Sequence, residues 1–153
     1  MRRWSVLLVS GTIALSALAG CGGDKRGAGA PKLVPVTGTL TLDGKPLGGA
    51  LVTFIPSGST RGRGAFGATD ENGRFELSEE GNQGAPAGEY RVVCNKWVMP
   101  NGSDFPRDSK ISPGEAGAKE LLPRKYSDEA ETELKATISP DGGAIELKLT
   151  SKR

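Results

Sequence analysis

Histidine is missing from all 153 residues, and cysteine occurs only twice, as Cys21 and Cys94. Without an imidazole, Ser–His and Cys–His nucleophilic catalysis and His-based metal sites are excluded, and two cysteines cannot close a zinc site alone. Aromatics are scarce at 5%, within a hydrophobic share of 36%, so the core must be modest and mostly aliphatic. Charge of one sign is not in excess either, with 20 basic groups against 18 acidic ones. No stretch packs Lys and Arg densely enough to track phosphates, which argues against a nucleic-acid partner. What abounds is Gly, at 23, and Pro, at 10, together about a fifth of the chain. Glycine does not fall at every third position, so this is turn-rich β structure with tails rather than collagen. The length suits one domain with extensions.

The first twenty residues differ from the rest. Arg2 and Arg3 precede an uncharged apolar run from Trp4 to Ala19, which closes on Leu18-Ala19-Gly20-Cys21. The run has the length of an export signal and is short for a stable span, which needs roughly 20 apolar residues. The junction resembles the lipobox of bacterial lipoproteins. That resemblance implies diacylglycerol on the Cys21 sulfur, cleavage before Cys21 and a membrane anchor through acyl chains. One chain binds a bilayer only marginally, at about 0.8 kcal/mol per buried methylene, so two or three chains give firm anchoring. The expected address is the cell envelope, periplasmic or surface facing. Gly22 rather than Asp follows the cysteine, which points to the outer rather than the inner membrane. Cleavage would remove two Arg and no acid, bringing 20 basic groups down to 18 against 18 acidic, a neutral body.

Gly22 to about Pro35 has no periodicity and is rich in Gly, Ala and charge. It is expected to be a flexible tether spanning roughly 20 Å on average, from a coil of about 5–6 Å × √n. The domain division is thus 1–20 signal peptide, 21–35 lipidated tether and 36–153 folded body.

From Val36 onward, short alternating runs are cut by turns. Val36–Leu42, Ala50–Ile55, Ala65–Thr69, Arg74–Ser78 and Glu89–Lys96 read as strands, with Arg74–Ser78 closing a hairpin through Asp70-Glu71-Asn72-Gly73. Leu134–Ile138 and Ala144–Leu149 flank Pro140-Asp141-Gly142-Gly143 as a second hairpin, with Leu134, Ala136, Ile138, Ile145, Leu147 and Leu149 inward. Ser127–Glu133 offers one helical turn. Alternation places Tyr90, Val92 and Cys94 on one face, so Cys94 is expected to be a buried, inert thiol. The expected fold is an all-β antiparallel sandwich.

These runs carry a family resemblance. Residues 36–54, Val-Thr-Gly-Thr-Leu-Thr-Leu-Asp-Gly-Lys-Pro-Leu-Gly-Gly-Ala-Leu-Val-Thr-Phe, resemble the opening of a carboxypeptidase regulatory-like domain. Thr69–Leu77 is similar to its second signature, and Pro86-Ala87-Gly88-Glu89-Tyr90-Arg91-Val92 to its Pro-x-Gly-x-Tyr strand entry. The resemblance implies a transthyretin-like Greek-key sandwich of about seven strands. It says little about activity. A hydrolase of that fold acts on hydroxyisourate through His and a C-terminal Tyr-Arg-Gly-Ser, whereas this chain has no His and ends Thr-Ser-Lys-Arg.

Of the remaining candidates, Asp70–Gly73 lacks a calcium loop's Glu at position twelve, since residue 81 is Gly, and reads as a turn. Glu79-Glu80 and the acids from Asp128 to Glu133 read as solvated surface. No catalytic residue, metal site or cofactor is expected. The long connection from about Trp97 to Leu121 is the exception, because connections of this length are functional or disordered. Trp97 and Phe105 within it are the candidate binding surface. The expectation is a lipid-anchored, non-catalytic binding or structural module with an envelope protein as partner. The alternative is a carbohydrate-binding module using Trp97 and Phe105.

Overall fold

A computed structural model describes residues 29–152. The signal segment 1–20, Cys21 and most of the tether lie outside the described residues. The described residues hold fourteen short strands and one helical turn: β1 (Leu33–Val34), β2 (Val36–Leu42), β3 (Lys45–Pro46), β4 (Leu51–Ser57), β5 (Ala65–Ala68), β6 (Arg74–Glu76), β7 (Ser78–Glu79), β8 (Asn82–Gln83), β9 (Ala85–Pro86), β10 (Gly88–Asn95), β11 (Trp97–Val98), β12 (Lys119–Glu120), α1 (Arg124–Ser127), β13 (Lys135–Ile138) and β14 (Gly143–Leu149). They build an all-β sandwich. One sheet has the order β13-β10-β4-β5-β7-β8, and the other is β14-β2 with β3 and β6 both on the free side of β2.

Alternation decides which residues enter the sandwich. Val36 and Leu40 of β2, Val52 and Phe54 of β4, Phe75 of β6, Tyr90, Val92 and Cys94 of β10, and Leu147 and Leu149 of β14 are all buried. The three large rings meet at the centre. Phe54 lies 6.3 Å from Phe75 and 5.7 Å from Tyr90, the latter edge-on at 61°, a geometry that suits the ring quadrupoles. The Tyr90 hydroxyl donates to the Pro86 carbonyl at 2.8 Å, closing a loop like the tyrosine corner of Greek-key sandwiches. Phe75 has room because position 38, directly opposite it, is Gly; a Cβ there would sit 2.2 Å from the Phe75 ring.

Four expectations are corrected. The Asp70–Gly73 turn exists as expected, with the Asp70 carboxylate accepting the Asn72 and Arg74 N–H groups at 2.9 and 2.8 Å. Its arms, however, part company. β5 stays with β4, while Arg74–Glu76 crosses to pair with β2, and only Ser78 rejoins β5, opposite Phe66. The C-terminal pair is likewise no hairpin. β13 lies antiparallel to β10, and β14 lies parallel to β2 in the other sheet. Between them Gly142 and Gly143 turn the chain against Pro35, whose carbonyl accepts the Gly143 N–H at 3.0 Å. Turn residues encode a reversal, but the burial of each arm decides which sheet it joins.

The third correction is at the tether. Leu33 and Val34 pair with Pro86 and Ala85, and Val34 is buried, so the folded body starts at Leu33 rather than Val36. The fourth is the helical turn: the α-helix is Arg124–Ser127, and Ser127–Glu133 holds only a single turn, closed by the Thr132 N–H donating to the Asp128 carbonyl at 2.9 Å. Tyr126 makes the difference. It is buried, and its hydroxyl lies 3.3 Å from the Thr150 hydroxyl.

Candidate functional site

The connection after β10 is folded. β11 lies between two partners, pairing with β12 on one side and bridging Asp104 through Val98 on the other. A tight turn at Met99–Gly102 closes the first half, with Gly102 N–H donating to Met99 O at 2.8 Å, and Phe105 N–H donates to Trp97 O at 3.0 Å. Trp97 and Phe105 are therefore opposite one another across a miniature hairpin. Each ring is half-buried.

Three polar side chains, Lys96, Arg107 and Glu120, hold this excursion to the sandwich. The Lys96 side chain is only 9% exposed, and its ammonium donates to the Gly48 carbonyl at 2.8 Å and forms an ion pair with Asp104. The Arg107 guanidinium donates to the Thr69 carbonyl at 2.8 Å. The Glu120 carboxylate accepts the Asn95 amide at 2.9 Å and the backbone N–H groups of Lys96 and Leu122 at 2.8 and 3.0 Å. A buried ammonium without such partners would cost several kcal/mol, so Asp104 and Gly48 are what make its position tolerable.

The excursion rises beside the outer face of β4 and β5 and leaves a groove of about 490 Å³. Its floor is Leu51, Phe66 and Ala68, and its far wall is Trp97, Phe105 and Pro113. Glu76, Ser78, Asn95 and Arg107 supply polar groups at the margin. Leu51 and Phe66 are 44% and 50% exposed, a high degree for large apolar side chains on a strand. The volume is within the range of small-ligand and side-chain pockets, and apolar walls with a few polar groups are the usual composition of such sites. A larger hollow of about 720 Å³ lies over β2, β6 and β14, beside Thr37, Thr39, Arg74 and Glu146. It lacks the groove's group of exposed apolar anchors.

Trp97 and Phe105 thus do come together, as two members of a larger apolar surface. Leu51 and Phe66 are the members that sequence reading missed. A signal for Phe66 was present, because Ala65 and Gly67 flank it. Both are buried inward, and a Cβ at Gly67 would come within 2.4 Å of the Glu76 carbonyl. An aromatic between two small inward residues must point out.

Compared with family models, curated proteins and solved structures, the chain matches none. The site therefore has to be read from its own chemistry.

Cys94 lies at the sandwich centre, away from the groove. It is a free thiol, fully buried. Burial, with a smaller contribution from the Glu120 charge, pushes its pKa up to about 12. Burial raises Tyr90 to about 12 as well, with Glu79 adding to the effect. Glu79 corrects the surface reading of Glu79-Glu80. It is 3% exposed, and its carboxylate accepts the Arg63 N–H at 2.7 Å, whereas Glu80 stays outside in an ion pair with Arg63. Among the described residues no three or more Cys, Asp or Glu side chains gather where they could hold a metal ion.

Proposed function

We propose that this chain is a lipid-anchored cell-envelope module that binds a protein partner without catalysis, and that the groove between the β4/β5 face and the 97–121 excursion is its binding surface. One observation carries the reading: Leu51, Phe66, Trp97 and Phe105 converge on one open groove. Exposed apolar side chains rimmed by polar groups mark interaction sites, because burying them against a partner releases water from the apolar area. The anchor rests on the Leu18-Ala19-Gly20-Cys21 junction and the uncharged run before it. The family resemblance of residues 36–96 bears on the fold and adds no catalytic residue to this reading.

Capture experiments test the groove. The full-length chain in detergent should retain a defined envelope protein, and Phe66→Ala or Trp97→Ala should lower its recovery. Equal recovery by both variants would count against the groove. The carbohydrate reading has its own support in the rings of Trp97 and Phe105 beside the Asn95 and Ser78 hydrogen-bonding groups. Glycan-array binding lost in Trp97→Ala, without a captured protein, would favour that reading. The anchor is tested separately, by mass spectrometry of the native chain. Cys21 should carry acyl mass, and Cys21→Ser should release the protein from the membrane fraction; an unmodified native Cys21 would refute the anchor.

A further inference from the structure

The free side of β14 is the longest open sheet edge in the described residues. β14 bonds to β2 alone, with Gly143 beside Val36 and Leu149 beside Leu42. The Gly143 N–H reaches the Pro35 carbonyl at 3.0 Å, and the Leu149 carbonyl accepts the Asp43 N–H at 2.9 Å. Alternate residues of a parallel strand turn both backbone groups to the same neighbour. Residues 143, 145, 147 and 149 therefore serve β2, and Ala144, Glu146 and Lys148 turn their N–H and C=O groups to the open side, which ends at Thr150, whose N–H already donates to the Tyr126 hydroxyl at 3.4 Å. The side chains of those three are exposed on the outer face, while Leu147 and Leu149 are buried below.

We propose that this edge pairs antiparallel with β14 of a second copy, about a two-fold axis at Leu147. The outward-turned residues must bond to one another, which restricts the choice of axis. An axis at Glu146 sets two carboxylates opposite each other, and an axis at Lys148 sets two ammonium groups opposite each other. An axis at Ile145 sets Ala144 against Glu146 and places no acid of the second copy opposite Lys148. The Leu147 axis places Glu146 opposite Lys148 of the second copy, twice by symmetry. It also sets Ile145 opposite Leu149 of the second copy on the inner face. Directly opposed charges of opposite sign stabilise an antiparallel pair, and like charges destabilise it. Within one chain Lys148 and Glu146 form an ion pair at 3.0 Å along the strand, so both side chains lie on the face on which these contacts would form, and pairing exchanges that contact for two across the interface. Charged residues usually blunt an open edge. Here their order makes the edge complementary to itself.

Sedimentation equilibrium of the purified full-length chain in density-matched detergent tests the pairing. The wild type should show a concentration-dependent monomer–dimer equilibrium. Lys148→Glu sets acids opposite one another and should weaken the dimer by about tenfold or more. The double exchange Glu146→Lys with Lys148→Glu restores opposite charges and should restore the dimer. Both positions are exposed, so the variants should keep the wild-type circular dichroism. A wild type that stays monomeric up to about 100 μM would overturn the proposal, as would a dimer that Lys148→Glu leaves unchanged. Loss of the dimer in Trp97→Ala would also overturn it, by placing the contact at the groove, whereas an intact dimer there supports the β14 edge.

Discussion

At the scale of single residues, the scarcity of aromatics concentrates stability in few places. Phe54 packs against both Phe75 and Tyr90 at the centre, and truncating such a ring costs about 3–5 kcal/mol. Whole domains have only about 5–15 kcal/mol in hand. Phe75→Ala should therefore bring the fold close to its unfolding threshold. Phe105, half-buried at the groove, should cost much less as Ala, about 1 kcal/mol. Urea midpoints of the two variants check this, and the reverse order would make the excursion part of the core. Cys94 gives a pH prediction. Burial holds its pKa up at about 12, against 9.0 for the free thiol. The stability held by the neutral thiol is complete below pH 9 and is lost as pH climbs toward 12, because only the unfolded thiol ionises there. Tyr90, raised to about 12, acts in the same direction above pH 10. Between pH 8 and 10.5 the Cys94 share of the loss is about 2 kcal/mol. Cys94→Ala should shrink that fall by about this amount when urea midpoints are compared at the two pH values.

At the scale of elements, the 97–121 excursion depends on polar pins more than on apolar burial. Ala118 and the groove-side rings are its main apolar contacts, while Lys96, Arg107 and Glu120 carry the hydrogen bonds. Asp104→Ala would leave the buried Lys96 ammonium with only the Gly48 carbonyl. A hydrogen bond to a charged group contributes about 1.5–3 kcal/mol, and Asp104 is half exposed, so a loss of about 1–2 kcal/mol is expected. The loss should be local. Amide exchange in 97–105 should quicken while β4 and β10 keep their protection, and uniform quickening across the sandwich would refute this division. Gly73 illustrates the same scale in a turn. Its φ is +71°, and a Cβ would meet the Leu40 carbonyl at 2.4 Å. Gly73→Ala should cost about 1–3 kcal/mol in a urea titration.

At the scale of the whole molecule, the strands give the body two distinct ends. Ser57 and Glu89 face each other near β1 and β9, where the chain enters from its N-terminal side, and Leu51 and Asn95 face each other beside the groove. At about 3.3 Å per residue, the six steps along β4 separate the two ends by roughly 20 Å. With the proposed anchor at Cys21, the groove would open at the end away from the lipid. The proposed β14 pairing runs along the side of the body and leaves that end free.

Much of this was legible in the chain. Period-two alternation told the buried faces of β2 and β14 and, in β10, of Tyr90, Val92 and Cys94, because a strand exposes and buries in turn whatever it pairs with; Val93 is buried against that alternation. The Asp70–Gly73 turn was legible because Asp and Gly supply their own local hydrogen bonds and backbone freedom. The absence of His excluded whole chemistries outright. Strand partners were not legible. The arms of two apparent hairpins went to different sheets, because pairing is settled by where Phe75 and Leu147 find a core, and that is a contact between distant residues. The groove was half legible. Trp97 and Phe105 stood out by their setting in a long connection, but Leu51 and Phe66 joined them only when the outer face of β4 and β5 met the excursion. Residue type and local alternation are properties of neighbours in sequence, so the sequence alone determined them. Sheet membership, the burial of Glu79 and Lys96, and the joining of four apolar side chains into one surface depend on long-range packing, and only the tertiary structure decided those.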